Sequence, residues 1–450
     1  MLKRKIVDSL NRWKNDKHKK ACCILGARQI GKSTSIREFG KQNYQQVIEI
    51  NFIEDPKATT IFEGKLNERT LLENITAYTQ KTIVRQNTLL ILDEIQECPN
   101  ARTAIKFLVE GGTIDIAETG SLLGVRYKEV RSYPVGFEKI INMYPLDFEE
   151  FLWAVGVPLE TIDVLRTCYE KRMAPTSAIH ETMMQLFFSY MIVGGMPEVV
   201  QDYINHYDLA RVKMLQTDII QLYRQDISKY AQGNEKIKIK DIFDSIPSQL
   251  DQKNRRFKLS KLDKNGRMNR YENAFLWLQE AGVALACLNT KAPVYPLKLN
   301  TKRNLFKLYL NDTGLLCSML GNIQFELLQG NTSINQGSIL ENMFAQCFAS
   351  KNRSLYYYDS KTIELDFLLE EDKKIQIIEI KSGSDYKKHP SLNKALASNW
   401  NLTQGIVFSK FPLEEVDNIL YLPYYMILFF GNVRNQESLI WKVDLAKLSI

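Results

Sequence analysis

The feature that most constrains this chain is a glycine-bracketed loop near its start. Residues 26–33, read in order as GARQIGKS, match the pattern GxxxxGK[ST] at every fixed position. The apolar run Ala21–Leu25 before the loop predicts a buried strand, and residues 33–39 after it predict a helix. Later aliphatic runs alternate with helical segments in the same way. The sequence therefore predicts an α/β fold built on a parallel sheet.

Such a loop has the properties of a triphosphate site, the P-loop or Walker A motif. Glycines let the turn tighten until its backbone N–H groups point inward, and the following helix adds its positive N-terminal end. Lys32 is expected to reach the β- and γ-phosphates, and the Ser33 hydroxyl to ligate Mg²⁺. We predict that this segment binds ATP through Gly26, Ala27, Arg28, Gln29, Ile30, Gly31, Lys32, Ser33 and Thr34.

Two acids follow a strand of four consecutive aliphatic residues, 89–92. A strand buried on both faces would deliver Asp93 to the carboxyl edge of the sheet, where ligands bind. We expect Asp93 to hold Mg²⁺ (the Walker B role) and Glu94 to polarise the attacking water. Two acids after a strand are otherwise most often a helix cap, but their combination with the loop favours catalysis.

The next predicted strand, residues 113–118, ends in short polar side chains. Thr119 and Ser121 are candidates to contact the γ-phosphate or the attacking water, and a simple turn is the alternative. Arg126 and Arg131 follow closely and could reach phosphate, although arginines are common on protein surfaces.

Composition bounds the rest. A chain of 450 residues predicts two to three domains. No apolar run is long enough to span a membrane, and no signal-peptide pattern begins the chain, so we expect a cytoplasmic protein without a membrane partner.

Eleven Lys or Arg against four Asp lie between Lys236 and Arg270, which favours DNA binding there. A solvated basic face is the alternative.

Taken together, the motifs resemble those of a family of prokaryotic AAA+ or STAND-type ATPases whose C-terminal domain is described as of unknown function. The resemblance covers nearly the whole chain, and it is carried by residues 26–34, 90–96, 119–122, 144–151, 194–198 and 364–381. It implies an ATPase with a winged-helix segment and a nuclease-like C-terminal fold. Relatives often carry Gly-Arg where this chain has Gly136 and Phe137. If that arginine senses nucleotide, Arg131 or Lys139 would have to replace it here.

A second acidic constellation lies near the C-terminus. Strand alternation puts Glu379 and Lys381 on one face, and a hairpin closing at residues 371–374 would put Asp366 opposite Glu379. This arrangement resembles the PD-(D/E)XK nuclease core, in which Glu341 matches the acid of the preceding helix. Glu341, Asp366 and Glu379 would then hold a metal ion beside Lys381. Glu379 and Lys381 are the residues expected to be catalytic. Ordinary charge pairs on strands are the alternative.

We therefore predict four regions: a P-loop core (1–146), a lid-like helical region (147–232), a winged-helix-like segment (233–330) and a PD-(D/E)XK-like domain (331–450). The leading hypothesis is a Mg²⁺-dependent ATPase whose nucleotide state controls a DNA-binding, nuclease-like C-terminal half. The alternative is an ATP-dependent switch for a protein partner, with an inert C-terminal domain. An oligomeric remodelling motor is a third hypothesis.

Overall fold

The N-terminal part of the computed structural model contains a five-stranded parallel sheet. The structure describes residues 2–120, 134, 136–230, 233–321, 323, 326–327 and 336–432. The first elements are α1 (Ile6–Lys14), β1 (Ala21–Leu25), α2 (Lys32–Asn43), β2 (Gln46–Asn51), α3 (Glu68–Thr79), β3 (Thr88–Asp93), α4 (Pro99–Gly111), β4 (Asp115–Thr119) and β5 (Glu138–Asn142).

In this sheet the strand order is β2-β3-β4-β1-β5, and every pairing is parallel. Every residue of β3 is buried, because its aliphatic side chains pack against helices on both faces. The α/β prediction is confirmed. β1 and β3 are both neighbours of β4, and the three strands run in the same direction. The loop after β1 and the acids after β3 therefore lie at the same edge of the sheet.

Helices dominate the middle of the chain. They are α5 (Phe148–Ala154), α6 (Leu159–Glu170), α7 (Ser177–Val193), α8 (Pro197–His206), α9 (Leu209–Tyr230), α10 (Asn234–Leu250) and α11 (Glu272–Glu280). A capping box begins α5: Asp147 accepts from the Glu150 N–H at 2.9 Å, and Glu150 accepts from the Asp147 N–H at 3.0 Å. This explains the acids in the motif at 144–151.

A second sheet contains eight strands. Its elements, with the helices between them, are β6 (Ala284–Thr290), β7 (Thr301–Leu310), α12 (Thr313–Met319), α13 (Gln336–Ser350), β8 (Leu355–Asp359), β9 (Glu364–Glu371), β10 (Lys374–Ile380), α14 (Pro390–Leu396), β11 (Gly405–Ser409), β12 (Glu414–Val416) and β13 (Ile419–Pro423).

The order of this sheet is β12-β13-β11-β10-β9-β8-β6-β7. Its β6–β7 hairpin comes from the segment interpreted as winged-helix-like, yet β6 pairs in parallel with β8. The sheet therefore crosses the boundary predicted at 330/331, because a long-range strand pairing has no local signal in the sequence.

In the part of the chain that the structure describes, no helix combines the length and the apolar character needed to cross a membrane.

Candidate functional site

Two glycines with positive φ shape the loop after β1. Gly26 has φ 149°, and a Cβ there would lie 2.2 Å from the carbonyl oxygen of Met143. Gly31 has φ 90°, a left-handed conformation immediately before α2 that strains any residue with a Cβ. The backbone of the loop can take this tight form only with glycine at these positions.

The Lys32 side chain folds back over the loop. Its Nζ donates to the carbonyl oxygen of Gly26 at 2.9 Å and to that of Ala27 at 2.7 Å. Burial lowers the pKa of Lys32 to about 8, although the carboxylates of Glu94 and Asp93 act to raise it. A buried ammonium held by neutral carbonyl oxygens favours an anionic ligand, which would stabilise its charge.

Asp93 is the meeting point of three elements. Its Oδ1 accepts from Ser33 Oγ on α2 at 3.0 Å and also from Thr119 Oγ1, at the end of β4. Its Oδ2 accepts from Asn51 Nδ2, at the end of β2, at 3.3 Å. The structure thus brings together Ser33, Asp93 and Thr119, which the sequence analysis had singled out separately. Asn51 was missed, although it ends its strand as Asp93 does.

Glu94 follows in a strained backbone conformation. Its φ is 52° at the turn that ends β3, a left-handed conformation that is uncommon for residues with a Cβ. Glu94 Oε2 accepts from Gln96 Nε2 at 2.5 Å, and its charge acts on Lys32. Gln96 therefore fixes one oxygen of the Glu94 carboxylate, and the charge of this carboxylate reaches the Lys32 ammonium. Gln96 ends the motif at residues 90–96, but no role of its own was predicted for it from the sequence.

A distant helix also reaches the loop. Arg28 Nη1 forms an ion pair with Asp226 Oδ1 on α9, and Tyr223 OH donates to the Arg28 carbonyl oxygen at 3.3 Å. Nearby, the turn after α11 comes so close that a Cβ on Gly282 would lie 2.8 Å from the Ala27 nitrogen. Sequence reasoning could not find these partners, since they lie about 200 residues further along the chain.

Arg4 ties the start of the chain to the same loop. It donates to the carbonyl oxygen of Ile30 at 2.8 Å and to that of Tyr144 at 2.7 Å, and pairs with Glu150 at 3.1 Å. Arg4, which is buried, thus connects the segment before α1 to the phosphate loop and to α5. These contacts help to hold the loop in place.

The oxygen atoms gathered at Asp93 fit a magnesium ion. The Ser33 hydroxyl and the Asp93 carboxylate are hard oxygen donors, and Mg²⁺ in proteins is held by one or two such groups together with waters and substrate phosphates. Ser33 and Asp93 would hold the ion, with Thr119 orienting the carboxylate.

Some candidates cannot be placed. Ser121, Arg126 and Arg131 lie outside the described residues. Lys139, on β5, forms an ion pair with Asp16 at 3.0 Å.

At the C-terminal constellation, Glu341 is surrounded by positive charge. Its Oε1 pairs with Arg255, and its Oε2 accepts from Lys307 Nζ at 3.1 Å and from Tyr309 OH at 2.8 Å. Burial opposes ionisation, yet Arg255 and Lys307 lower the pKa of Glu341 to about 2. The carboxylate is therefore charged and already compensated by protein cations.

The neighbouring acids are held differently. The hairpin closes as expected, with Lys374 paired to Glu371, and Asp366 Oδ2 accepts from the Ile380 N–H at 2.8 Å. Burial, and then the charge of Glu341, raise the pKa of Asp366 well above its usual value. Glu379 forms an ion pair with Lys381 at 2.5 Å.

The carboxylates of Glu341, Asp366 and Glu379 do not all lie within 4.8 Å of one another, although Glu341 and Asp366 interact through their side chains and Glu379 Oε2 is buried without a hydrogen-bond partner. Across the described ranges, the one trio of candidate ligand atoms lying within 4.8 Å of one another is Cys23, Glu118 and Glu138. There Arg102 lies between the two acids, 3.5 Å from Glu118 and 3.1 Å from Glu138, and burial raises the pKa of Glu118 well above its usual value. At Glu341, Arg255 and Lys307 compensate the charge of the carboxylate.

Comparison with protein families identifies the N-terminal region. Residues 18–152 match a family model described as an AAA domain, and they contain the loop, both acids and Thr119. We refer to residues 18–152, which are similar to AAA domains, as the AAA domain. Two further models match behind this AAA domain, each described as a domain of unknown function: DUF8612 over residues 184–326 and DUF4143 over residues 336–424. No curated protein matches the chain.

Several solved structures are distantly similar. A Walker-type ATPase of Pyrococcus abyssi is 12% identical, covering 71% of this chain and 96% of its own, with a TM-score of 0.43. The ORC1 protein of Aeropyrum pernix, solved in complex with DNA, is 11% identical over 72% of this chain and 92% of its own, with a TM-score of 0.27. Likenesses this weak carry no argument about activity.

Proposed function

We propose that this chain binds ATP with Mg²⁺ in its AAA domain and hydrolyses it to ADP and phosphate. The observation that carries the proposal is the convergence of Ser33, Asn51 and Thr119 on the Asp93 carboxylate, beside the buried Lys32 ammonium. The neutral donors can release the Asp93 carboxylate to a cation at a small cost in free energy. The Lys32 ammonium can exchange the carbonyl oxygens of the loop for phosphate oxygens.

Each residue has a distinct part in the reaction. The loop amides and Lys32 bind and orient the phosphates, while Ser33 and Asp93 hold the ion. Magnesium, when bound, would neutralise negative charge on the phosphate oxygens. Glu94 accepts a proton from water as the water oxygen bonds to the terminal phosphorus and the bond from that phosphorus to the bridging oxygen breaks. ADP leaves with the electron pair of that bond, and Glu94 later returns the proton to solvent.

Two substitutions separate binding from chemistry. Lys32→Ala should abolish detectable nucleotide binding, whereas Glu94→Gln should bind Mg-ATP and hydrolyse it about 10²–10⁴-fold more slowly. The measurements are calorimetry with ADP and a phosphate-release assay. Lys41→Ala on α2 and Glu97→Gln after β3 are matched controls. Wild-type protein that is folded but takes up no nucleotide would disprove the proposal.

For the C-terminal half, the geometry favours a recognition module over a nuclease. The charges of Glu341 and Glu379 are already balanced by Arg255, Lys307 and Lys381, which opposes metal-dependent cleavage. Incubation with supercoiled plasmid and Mg²⁺ or Mn²⁺ tests this directly. We expect no nicking; nicking by wild type that disappears in Glu379→Ala and Lys381→Ala would favour the nuclease hypothesis instead.

DNA remains the proposed ligand of the basic segment between Lys236 and Arg270. Arg255 is engaged with Glu341, but other cations of the segment are exposed and can meet phosphates: Lys240, Lys253, Lys258, Lys261, Lys264, Arg267 and Arg270. Because each phosphate contact releases counterions, affinity should fall steeply with salt. Lys253→Glu combined with Lys258→Glu should flatten that dependence. A protein partner is indicated instead if wild type shows no salt-dependent binding to duplex DNA.

A further inference from the structure

Arg28 differs from the rest of the phosphate loop because its charged side chain leaves the loop for another element. It forms an ion pair with Asp226 on α9, and the Asp226 side chain is only 10% exposed. The loop backbone at Arg28 is also fixed to α9, through the hydrogen bond from Tyr223. Neither the binding of phosphate by loop amides nor the role of Lys32 requires an arginine at this position.

This ion pair lies at the phosphate site itself. Arg28 directly follows Ala27, whose carbonyl oxygen accepts from Lys32 Nζ at 2.7 Å, and the charges of Arg28 and Asp226 both act on Lys32. Lys32 is the residue expected at the β- and γ-phosphates, and Glu94 the residue expected at the attacking water. The guanidinium of Arg28 is therefore close to where the terminal phosphate of a bound triphosphate would lie.

We propose that Arg28 is a catalytic residue that contacts the terminal phosphate of ATP, and that Asp226 is a positioning residue that holds Arg28 when this phosphate is absent. This inference rests on the ATPase activity proposed above. It assigns to the loop itself the phosphate-contacting cation for which Arg126, Arg131 and Lys139 were the candidates from the sequence.

The chemistry favours exchange of one partner for the other. A guanidinium presents a planar fork of N–H donors, and phosphate oxygens match this fork as well as a carboxylate does. A terminal phosphate thus competes with Asp226 for the same donors, whereas ADP offers no such group. During hydrolysis Arg28 neither gains nor loses a proton. It stabilises the negative charge on the terminal oxygens and on the leaving ADP as the phosphorus–oxygen bond breaks.

Release of Asp226 from Arg28 would also affect contacts that α9 makes outside the loop. On the same helix, Arg224 pairs with Asp244 of α10 at 2.8 Å, and Gln216 donates to the carbonyl oxygen of Ile192 at 2.8 Å and to that of Val193 at 3.0 Å. α9 therefore connects the phosphate site to α10, in which the basic segment begins. α9 would thus transmit to α10 whether ATP or ADP occupies the phosphate site.

The test compares ATP with ADP. Affinities are measured by calorimetry in the Glu94→Gln background, so that ATP persists, and kcat is measured with Glu94 intact. Arg28→Gln should lower kcat by about 10³-fold, the scale seen for arginines that contact a transferring phosphoryl group. It should weaken ATP by at least about tenfold while ADP affinity stays within about threefold. Asp226→Asn should strengthen ATP and leave ADP unchanged, and Asp226→Glu should restore wild-type values.

Further variants guard against simple loss of folding. Arg28→Lys retains a cation that can pair with Asp226 but lacks the planar fork, so kcat should still fall at least about tenfold. Arg28→Gln combined with Asp226→Asn leaves no buried unpaired charge and should remain slow. Equal losses of ATP and ADP affinity, with kcat unchanged, would show that the ion pair only fastens α9 and would overturn the inference. That result would leave the ATPase itself intact, whereas wild type that binds neither nucleotide would remove the proposed function.

Discussion

Two clusters in this molecule place a buried acid beside a lysine, but the acids are satisfied by different kinds of donor. Asp93 accepts from two hydroxyl groups, one side-chain amide and the backbone N–H of Glu94, all neutral. Glu341 accepts from an arginine, a lysine and a tyrosine hydroxyl. Neutral donors leave the negative charge of Asp93 available to an incoming cation, while cationic donors consume that of Glu341. The donors around an acid, more than its own identity, indicate whether a metal can bind there.

Removal of magnesium gives the largest expected effect. With EDTA, ATP hydrolysis should fall by on the order of 10³-fold or more, because the ion's charge stabilisation at the phosphates is lost. Glu341→Gln should show the same dependence on magnesium as wild type, since its cluster does not take part. Phosphate release by the wild type that persists in EDTA, or a changed magnesium requirement in the variant, would contradict the comparison.

The second prediction concerns the charges at Glu341. Lys307 is fully buried, so Lys307→Met should lower the free energy of unfolding by about 3–5 kcal/mol by leaving the carboxylate under-compensated. Urea denaturation measures this change, and adding Glu341→Gln should recover much of it. Lys381→Met is the matched control: its partly exposed pair with Glu379 should cost less than about 1 kcal/mol. Equal losses at the two lysines would show that burial does not distinguish them.

A third, smaller effect is the pH dependence of nucleotide binding. The pKa of Lys32 is about 8 without ligand, so the side chain is protonated at pH 7 and mostly neutral at pH 9. Phosphate stabilises the protonated form, and binding at pH 9 must therefore take up a proton. Affinity for Mg-ADP should fall by about tenfold from pH 7 to pH 9.

Calorimetry in buffers of different ionisation enthalpy should detect this proton uptake. Lys41→Ala, on the same helix, should keep the wild-type profile. A flat pH profile for wild type would mean that Lys32 is charged throughout.

The smallest predicted change tests the neutral donors themselves. Thr119→Val removes one hydrogen bond to Asp93 and should cost about 1 kcal/mol of stability, because Ser33 and Asn51 remain as donors. Thermal denaturation measures it, with Thr103→Val on α4 as control. A loss as large as that of Lys307→Met would show that Asp93 has little freedom to exchange partners.

Much of the fold could be predicted because the AAA domain is locally encoded. The strand Ala21–Leu25 was predicted with the bounds that the structure gives, since this short apolar run ends at glycine. β5 was missed because Glu138–Asn142 is half exposed and mixed in character. The pairing of β6 with β8 joins residues about 70 positions apart, which periodicity cannot reveal.

The candidate site divides in the same way. Lys32, Ser33, Asp93 and Glu94 could be found because their roles follow from position after a strand or within a loop. Arg255 could not be assigned to Glu341, because a basic run in sequence does not indicate which side chain turns inward. Asp226 was equally hidden, since α9 carries many charged residues and only the folded chain selects the one that meets Arg28.

The pairing of β6 with β8 has a practical consequence for dissecting the protein. A fragment that starts at residue 331 would lack β6 and β7, the two strands at one end of the sheet. It would expose backbone N–H and C=O groups of β8 to solvent. Exposed strand edges of this kind recruit other chains and favour aggregation. Truncations that begin before Asn234 would keep α10, α11 and the hairpin with the sheet they complete.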